Sequence, residues 1–490
     1  MFTLINLLGF IVIVRLDLVK CKESLTVAYI GTHTGPAGEK DGERVSGAMP
    51  LALDTINNDS SILENYTLNY LFADNEDNAL ISVEAVTELW AQGAIAFFGP
   101  EDFCKTEARV AAAWNLPMLS HKCDDPSVSD KAMYPTFART HSPGSLTARS
   151  LVALMEYYQW RKFTIITEQV DVYRRTADFL AQLASNMTIL NQEGFPGPYL
   201  SFFHKADLIR AIDSTYVRTR IYVVLASKRA FIDFARVFHN MTNIDKKSYV
   251  LISVQESLIY NPEENLKPLF TDLETGNLGQ KNESVMAYSR VLQLVLSPPT
   301  NPNYEAWKDN VRTYLYMPPF NMRPLDDFQI RIGYKQQISI FAAYLYDAVF
   351  VYARALNEVI LRGDSPRNGT AIFEGIAGRS YHSIIGNDVY IDEHGDAQSN
   401  LSVVALRPYN NTFGYGLQTV GQFFLRDGIS GSVEFHERIR IYEEVPVDEP
   451  ICGFYNERCQ PTPDYTTEIV VGVLGGLVLI ILLVTAVLYR

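Results

Sequence analysis

LTVAYI at residues 25–30, VSGAMPLALDTI at 45–56, LNYLF at 68–72, VEAVTELW at 83–90 and AIAFF at 94–98 follow one another near the start of the chain. The first, third and fifth are short runs rich in β-branched and aromatic residues, the pattern of strands. Between them, Val45, Met49, Ala52 and Ile56 recur at helical spacing, as do Val83, Val86, Leu89 and Trp90. Strands alternating with amphipathic helices in this way build a parallel sheet covered by helices.

The same rhythm resumes downstream. A helix carrying Leu151, Leu154 and Tyr158 precedes a strand at 163–167, a helix at 176–183, a strand at 221–225, a helix at 231–238 and a strand at 250–253. With 490 residues, 47% of them hydrophobic and 20% charged, the chain is longer than one hydrophobic core usually serves, so two doubly wound α/β lobes are expected. The polar, Pro/Gly-punctuated segment 260–280 reads as a surface excursion. Residues 338–361 form a long helix whose stripe of Ile338, Phe341, Ala342, Leu345, Val349, Tyr352, Leu356 and Val359 is core, with Asp347, Arg354 and Glu358 off it. From Val389 onward the tendency changes to strand and turn, expected to complete the second lobe, and 441–464 reads as a stalk.

The ends of the chain speak to location. Residues 2–14 are almost wholly apolar and are stopped by Arg15, Asp17, Lys20 and Lys22, which predicts a signal peptide over 1–21. Residues 469–488, IVVGVLGGLVLIILLVTAVL, are uncharged and about long enough to cross the hydrocarbon core as a helix, with Tyr489 closing the span. Tyr489 and Arg490 after it put the C-terminal side in the cytoplasm, giving a single-pass type I plasma-membrane protein with its N-terminus outside. N-x-S/T acceptors at Asn58, Asn65, Asn186, Asn240, Asn282, Asn368, Asn400 and Asn410 fit a body in the secretory lumen. Once Cys21 leaves with the leader, Cys104, Cys123, Cys452 and Cys459 remain, an even count suited to an oxidising compartment, with local pairing Cys104 to Cys123 and Cys452 to Cys459 expected. The second bridge would close a loop of about eight residues, contributing about 2.5 kcal/mol in the chain-entropy account. A zinc site would need two-residue spacings or paired histidines, and only His121 is close.

A formal net charge of −14 and a pI near 5.1 exclude a surface built to follow nucleic-acid phosphates. The chain carries no H-E-x-x-H, G-x-S-x-G, phosphate-cradling G-x-x-x-x-G-K or C-x-x-C, and adjacent acids such as Glu101 and Asp102 are most often simply solvated. A binder without cofactor or metal is therefore expected, rather than an enzyme.

Several stretches together resemble a known family. DGERVSGAMPLALDTIN at 41–57, AIAFFGPEDFC at 94–104, WNLPMLSHKC at 114–123, YPTFARTHSPGSLTARSLVALMEYYQWRKFTII at 134–166 and AAYLYDAVFVYARAL at 342–356 are similar to type I periplasmic-binding-protein-like receptor domains. PICGFYNERC at 450–459, followed by one apolar helix, resembles the juxtamembrane loop of receptor guanylate cyclases, including the natriuretic peptide receptors. The resemblance covers residues 25–490 and implies a ligand-binding region over 22–445, with a first lobe at 25–118 and 285–380 and a second at 119–284 and 381–445. A stalk at 446–468 and a membrane helix at 469–489 follow. It implies a peptide ligand, a homodimer and, in a longer parent carrying kinase-homology and cyclase domains, synthesis of cyclic GMP; this chain would be a fragment or short isoform of it. The alternative is a non-signalling clearance or decoy receptor with a short tail.

The family's departures are informative. Its usual cysteine upstream of Cys104 has no counterpart in ADNEDNAL at 73–80, and GPEDFC at 99–104 is longer than the pattern of a chloride site found in some relatives, which is not carried over. In this fold ligands enter the crevice between the lobes, so Gly99, Pro100, Glu101, Asp102 and Phe103, with His141, Ser142 and the residues to Ser145, are candidates to line it. The bulky acidic PEDF favours a peptide over an amino acid, which would want small hydroxyls and free amides at a helix start. Tyr157, Tyr158 and Trp160 are either aromatic anchors for a peptide or core residues at a helix-to-strand junction. Trp90 matches a tryptophan on the dimer face of natriuretic peptide receptors, with Trp114 its neighbour; the alternative is packing within the lobe. Gly472 and Gly476 form a G-x-x-x-G that lets two membrane helices approach.

Overall fold

Two sheets with repeating strand orders organise the chain. The computed structural model describes residues 22–35, 42–101, 103–241, 245–255, 281–323, 336–398, 401–410, 414–426, 429–435, 445–455, 457–459 and 466–489. In the first sheet, β1 (Glu23–Gly31), β2 (Tyr66–Asp74), β3 (Phe97–Phe98), β4 (Met118–Ser120) and β5 (Phe137–Arg139) are all parallel, in the order β2-β1-β3-β4-β5. Strand order reverses between β1 and β3, and the loops leaving their C-terminal ends diverge there to open a crevice. The helices α1 (Gly42–Val45), α2 (Ala48–Asn58), α3 (Ala79–Ala91) and α4 (Lys105–Ala113) connect these strands. On α2 the buried side chains are Ala48, Met49, Ala52, Leu53 and Ile56, the helical stripe expected from the sequence.

The second sheet repeats the plan. Its parallel part, β6 (Lys162–Gln169), β7 (Thr188–Pro196), β8 (Ile221–Leu225), β9 (Val250–Gln255) and β10 (Val291–Leu296), runs in the order β7-β6-β8-β9-β10, so a second reversal lies between β6 and β8. Helices α5 (Gly144–Tyr157), α6 (Asp171–Leu183), α7 (Ser201–Asp213), α8 (Lys228–Asn240) and α9 (Lys281–Tyr288) accompany it. Ile165 joins one hydrophobic cluster and Ile166 another, because successive strand residues face opposite sides of the sheet. All five residues of β8 are buried, as a parallel strand covered on both faces requires. Each such fully buried valine or leucine stabilises by about 1.5–3 kcal/mol relative to exposure.

Helices α10 (Tyr304–Leu315), α11 (Ile340–Leu361) and α12 (Gly369–Ile376) follow β10. The long α11 is started by Ser339, whose hydroxyl accepts the Phe341 N–H at 3.3 Å, and Tyr352 meets Phe98 edge-on at 5.5 Å. Asp347, expected off the stripe, is instead buried, accepting the Ser383 hydroxyl and, at 3.0 Å, the Ile384 N–H. Without those donors the buried carboxyl would be costly, and burial still raises its pKa to about 7.

Three strands, β11 (Arg379–His382), β12 (Asp388–Ile391) and β13 (Ala397–Gln398), form a small antiparallel sheet that touches the first sheet through a bridge between Arg139 and Asp396. Antiparallel β14 (Leu401–Pro408), β15 (Tyr415–Arg426) and β16 (Ile429–Phe435) then extend the second sheet beyond β10. The chain thus passes between sheets three times: after β5, after β10 and before β14. This corrects the expected lobe boundaries. β4 and β5 are too short to show periodicity, so the first sheet continues to Arg139 rather than ending at 118; β10 belongs to the second sheet, so the return falls after Leu296 rather than at 285; and β11, β12 and β13 side with the first sheet rather than the second.

The expected leader (1–21) and excursion (260–280) lie outside the described residues. Among the sequon asparagines, Asn58, Asn65, Asn186, Asn240 and Asn410 are exposed and Asn368 is half-buried; Asn282 falls in α9, and Asn400 is outside the described residues. Helix α13 (Thr466–Leu488) contains 20 residues, Ile469–Leu488, long and apolar enough to cross a membrane, with none of the span buried against the rest of the chain. The stretch before it is held against the body: Pro446, Asp448 and Glu449 dock on the start of β6.

Candidate ligand-binding crevice

On the first sheet, the loop after β3 begins with Gly99 at φ +86°, where a Cβ would lie 2.2 Å from the Ile30 carbonyl oxygen. Only glycine fits there, and its N–H donates to the Leu119 carbonyl at 3.0 Å. Pro100 and Glu101 follow, both buried, and the Ser120 hydroxyl donates to the Pro100 carbonyl at 3.0 Å. Phe103 is half-buried, and Asp102 lies outside the described residues. A disulfide between Cys104 and Cys123 then ties this loop to the one after β4.

Glu101 and three histidines stand in the loops that leave these strand ends. His121 Nε2 is 3.8 Å from Glu101 Oε1, both side chains essentially inaccessible. His33, just past β1, shares a 2.6 Å hydrogen bond between Nε2 and the Ser46 hydroxyl and stacks on Phe320 with centroids 5.1 Å apart. Burial lowers its pKa to about 4 against the opposing pull of Asp74. His141, just past β5, is edge-on to Phe341 at 5.2 Å, and burial, reinforced by the charges of Arg139, Lys122 and His121, lowers its pKa to about 3. Both imidazoles are neutral at pH 7. His141 Nδ1 and both ring nitrogens of His121 are buried and lack a hydrogen-bond partner among the described residues. Ser142, also a candidate, is buried beside His141.

Arg139 fixes the neighbouring loop, through partners too distant along the chain to be legible in its sequence. Its Nε donates to Asp396 at 2.7 Å, Nη1 to the carbonyls of Cys123 and Asp125 at 2.9 Å each, and Nη2 to the Ser129 hydroxyl at 2.9 Å. A fully buried guanidinium is tolerable because its charge is paired and its donors are used.

The C-terminal end of the second sheet carries polar groups of its own. A polar cavity of about 580 Å³ opens between β6, β7 and α6, lined by Thr167, Gln169, Arg174, Arg175, Gln192 and Glu193 among others. The hydroxyl of Thr167, a buried residue, has no hydrogen-bond partner among the described residues. Arg175 also pairs with Asp124 at 3.1 Å, linking α6 to the loop after β4 of the other sheet. Glu168, pointing to the opposite face, accepts the N–H groups of Tyr199 at 2.8 Å and Ser227 at 2.7 Å, so one buried carboxylate holds the loops entering α7 and α8. None of these second-sheet groups was singled out from sequence, although Thr167 and Gln169 stand at the end of a legible strand.

Three candidates are elsewhere. Tyr157, Tyr158 and Trp160 lie at the N-terminal end of β6, away from the strand ends that form the crevice. Trp160 is 1% exposed and stacks on Tyr158 at 4.4 Å, while Tyr157 is on the surface at 52%. The core alternative describes Trp160. Trp90 and Trp114, at the ends of α3 and α4, stack face to face at 4.4 Å with Trp90 38% exposed. Gly472 and Gly476 lie in α13, with open space where their Cβ atoms would be. Among the described residues no group of three or more His, Cys, Asp or Glu is arranged to hold a metal.

Comparison with known proteins matches residues 44–408 to the Receptor family ligand binding region. Receptor-type guanylate cyclase Gyc76C of Drosophila melanogaster is 31% identical over 97% of this chain and 33% of its own length. The resact receptor of Arbacia punctulata is 25% identical over 84% of this chain and 45% of its own, and atrial natriuretic peptide receptor 2 of Anguilla japonica 22% over 89% and 41%. The chain therefore spans between a third and a half of these relatives. With two α/β sheets meeting at a polar crevice and a family match across most of their length, the chain belongs to the receptor family ligand-binding regions and is similar to the ectodomains of receptor guanylate cyclases.

Proposed function

We propose that the chain is the extracellular sensor and membrane span of a single-pass receptor whose full-length form synthesises cyclic GMP when a peptide binds. The observation that carries the reading is the polar cavity at the strand ends of the second sheet, tied to the first sheet's loops by the Arg175 to Asp124 pair. Two of the relatives are named as a resact receptor and an atrial natriuretic peptide receptor, which supports a secreted ligand without identifying it. Arg174 and Arg175 stand with Asp178 and Glu193 around that cavity, and Arg175 is paired with Asp124, so the site offers charged groups of both signs to a peptide. The exposed Trp90 face and Gly472 and Gly476 serve a homodimer, and ligand shifts its two arrangements by binding them unequally. The first 21 residues are removed as a leader, and the lobes stand outside the plasma membrane.

The test is cyclic GMP in cells expressing the complete reading frame, challenged with acidic and basic secreted peptides. A rise with one of these peptides, reduced at least tenfold in potency by Thr167→Ala with Gln169→Ala in the cavity, supports the reading. A reading frame without a cyclase domain, or no response to any peptide that demonstrably binds, contradicts it.

A further inference from the structure

The docked segment before the apolar helix carries an inference of its own. Trp160 Nε1 donates to the Pro446 carbonyl at 2.7 Å inside the protein. Two residues on, the Asp448 carboxylate accepts the main-chain N–H groups of Arg161 and Lys162, the latter at 2.8 Å. Glu449, 13% exposed, then bridges two cations: Lys162 at 2.6 Å, on the strand, and Arg458 at 2.8 Å, inside the Cys452 to Cys459 loop. Five contacts thus run from the first residues of β6 into the disulfide loop. Cys459 precedes the first residue of α13 by seven positions, a reach of roughly 25 Å at full extension.

We propose that Trp160, Asp448 and Glu449 form a clasp that fastens the disulfide loop to the second lobe, so that a rearrangement of that lobe reaches the membrane helix as a displacement of a rigid foot rather than being lost in a slack tether. The chemistry favours a clasp over incidental contact. The indole N–H and the Pro446 carbonyl are buried, so separating them leaves both unsatisfied. Asp448 satisfies main-chain donors at the end of a strand whose register with β7 starts at Lys162. Glu449 alone would be a weak surface bridge, but holding one cation on each body makes it a cross-link between them. The consequence for signalling rests on the receptor reading; the clasp itself does not.

The test uses the full chain in lipid nanodiscs with spin labels at Ser185→Cys and Tyr455→Cys, both exposed, and a control pair within the lobe at Ser185→Cys and Phe202→Cys. The lobe-to-foot distance distribution should be as narrow as the control. In the Trp160→Phe, Asp448→Asn, Glu449→Gln variant its width should at least double while the control pair stays unchanged. A distribution already broad in the parent chain, or unaltered in the variant, overturns the proposal. Should that variant fold poorly, hydrogen exchange at the Arg161 and Lys162 amides of the unsubstituted chain serves instead: slowing of at least a hundredfold relative to a free peptide is expected, and exchange at the free-peptide rate overturns it. A narrow distribution in a chain that fails to insert into nanodiscs would sink the membrane reading and leave the clasp standing.

Discussion

Single residues set the shape of the crevice and its response to acid. Gly99 is required by both its positive φ and the Ile30 carbonyl, so Gly99→Ala should destabilise the ectodomain by about 2–4 kcal/mol in chemical denaturation, more than the ordinary cost of a surface change. His33 and His141 are held neutral by burial, with pKa values lowered to about 4 and about 3 from 6.5. The unfolded chain therefore binds protons below pH 6.5 that the folded chain refuses until pH 4 or lower. Stability should be full above pH 6.5 and fall through that window, by up to about 1.4 kcal/mol per pH unit for each imidazole. Denaturation at pH 7.5 and 5.0 measures it, and replacing both histidines by glutamine should flatten the dependence. Neither histidine's burial could be read from the sequence, because each follows a strand end where side chains are as often exposed.

Whole elements were legible where they are long and periodic. The strands at β1, β2, β6 and β8 and the long α11 stand where alternation and the apolar stripe predict them. What escaped were β4 and β5, three residues each, and the tertiary partners that rescue polar groups: nothing in the sequence links Arg139 to Asp396, 257 positions apart. That pair makes a firm prediction. Asp396→Ala leaves a buried guanidinium unpaired and should cost about 3–5 kcal/mol, whereas Arg139→Met with Asp396→Leu should cost clearly less, since breaking a buried pair is worse than removing it. The docking of the stalk was illegible for the same reason: nothing in an acidic, proline-containing stretch names Trp160 and Lys162 as the groups that receive it.

For the molecule as a whole, the candidate residues after β3 and β5 were chosen from sequence because strand ends carry binding loops in this architecture, while the cavity walled by α6 and β7 needed the second sheet to be placed. Trp90→Ala with Trp114→Ala should lower dimer content at least tenfold in sedimentation of the ectodomain without changing its thermal midpoint by more than a few degrees; unchanged association would remove this face from the dimer. The proposed sensing role requires the lobes to stand outside a membrane that α13 crosses. The most direct measurement is translation of the chain into sealed microsomes followed by protease and glycosidase. Protection of the two lobes, a glycosidase-sensitive mass shift and resistance of the product to carbonate extraction are the results expected, and a product that is fully digested, unglycosylated and extractable would contradict the account.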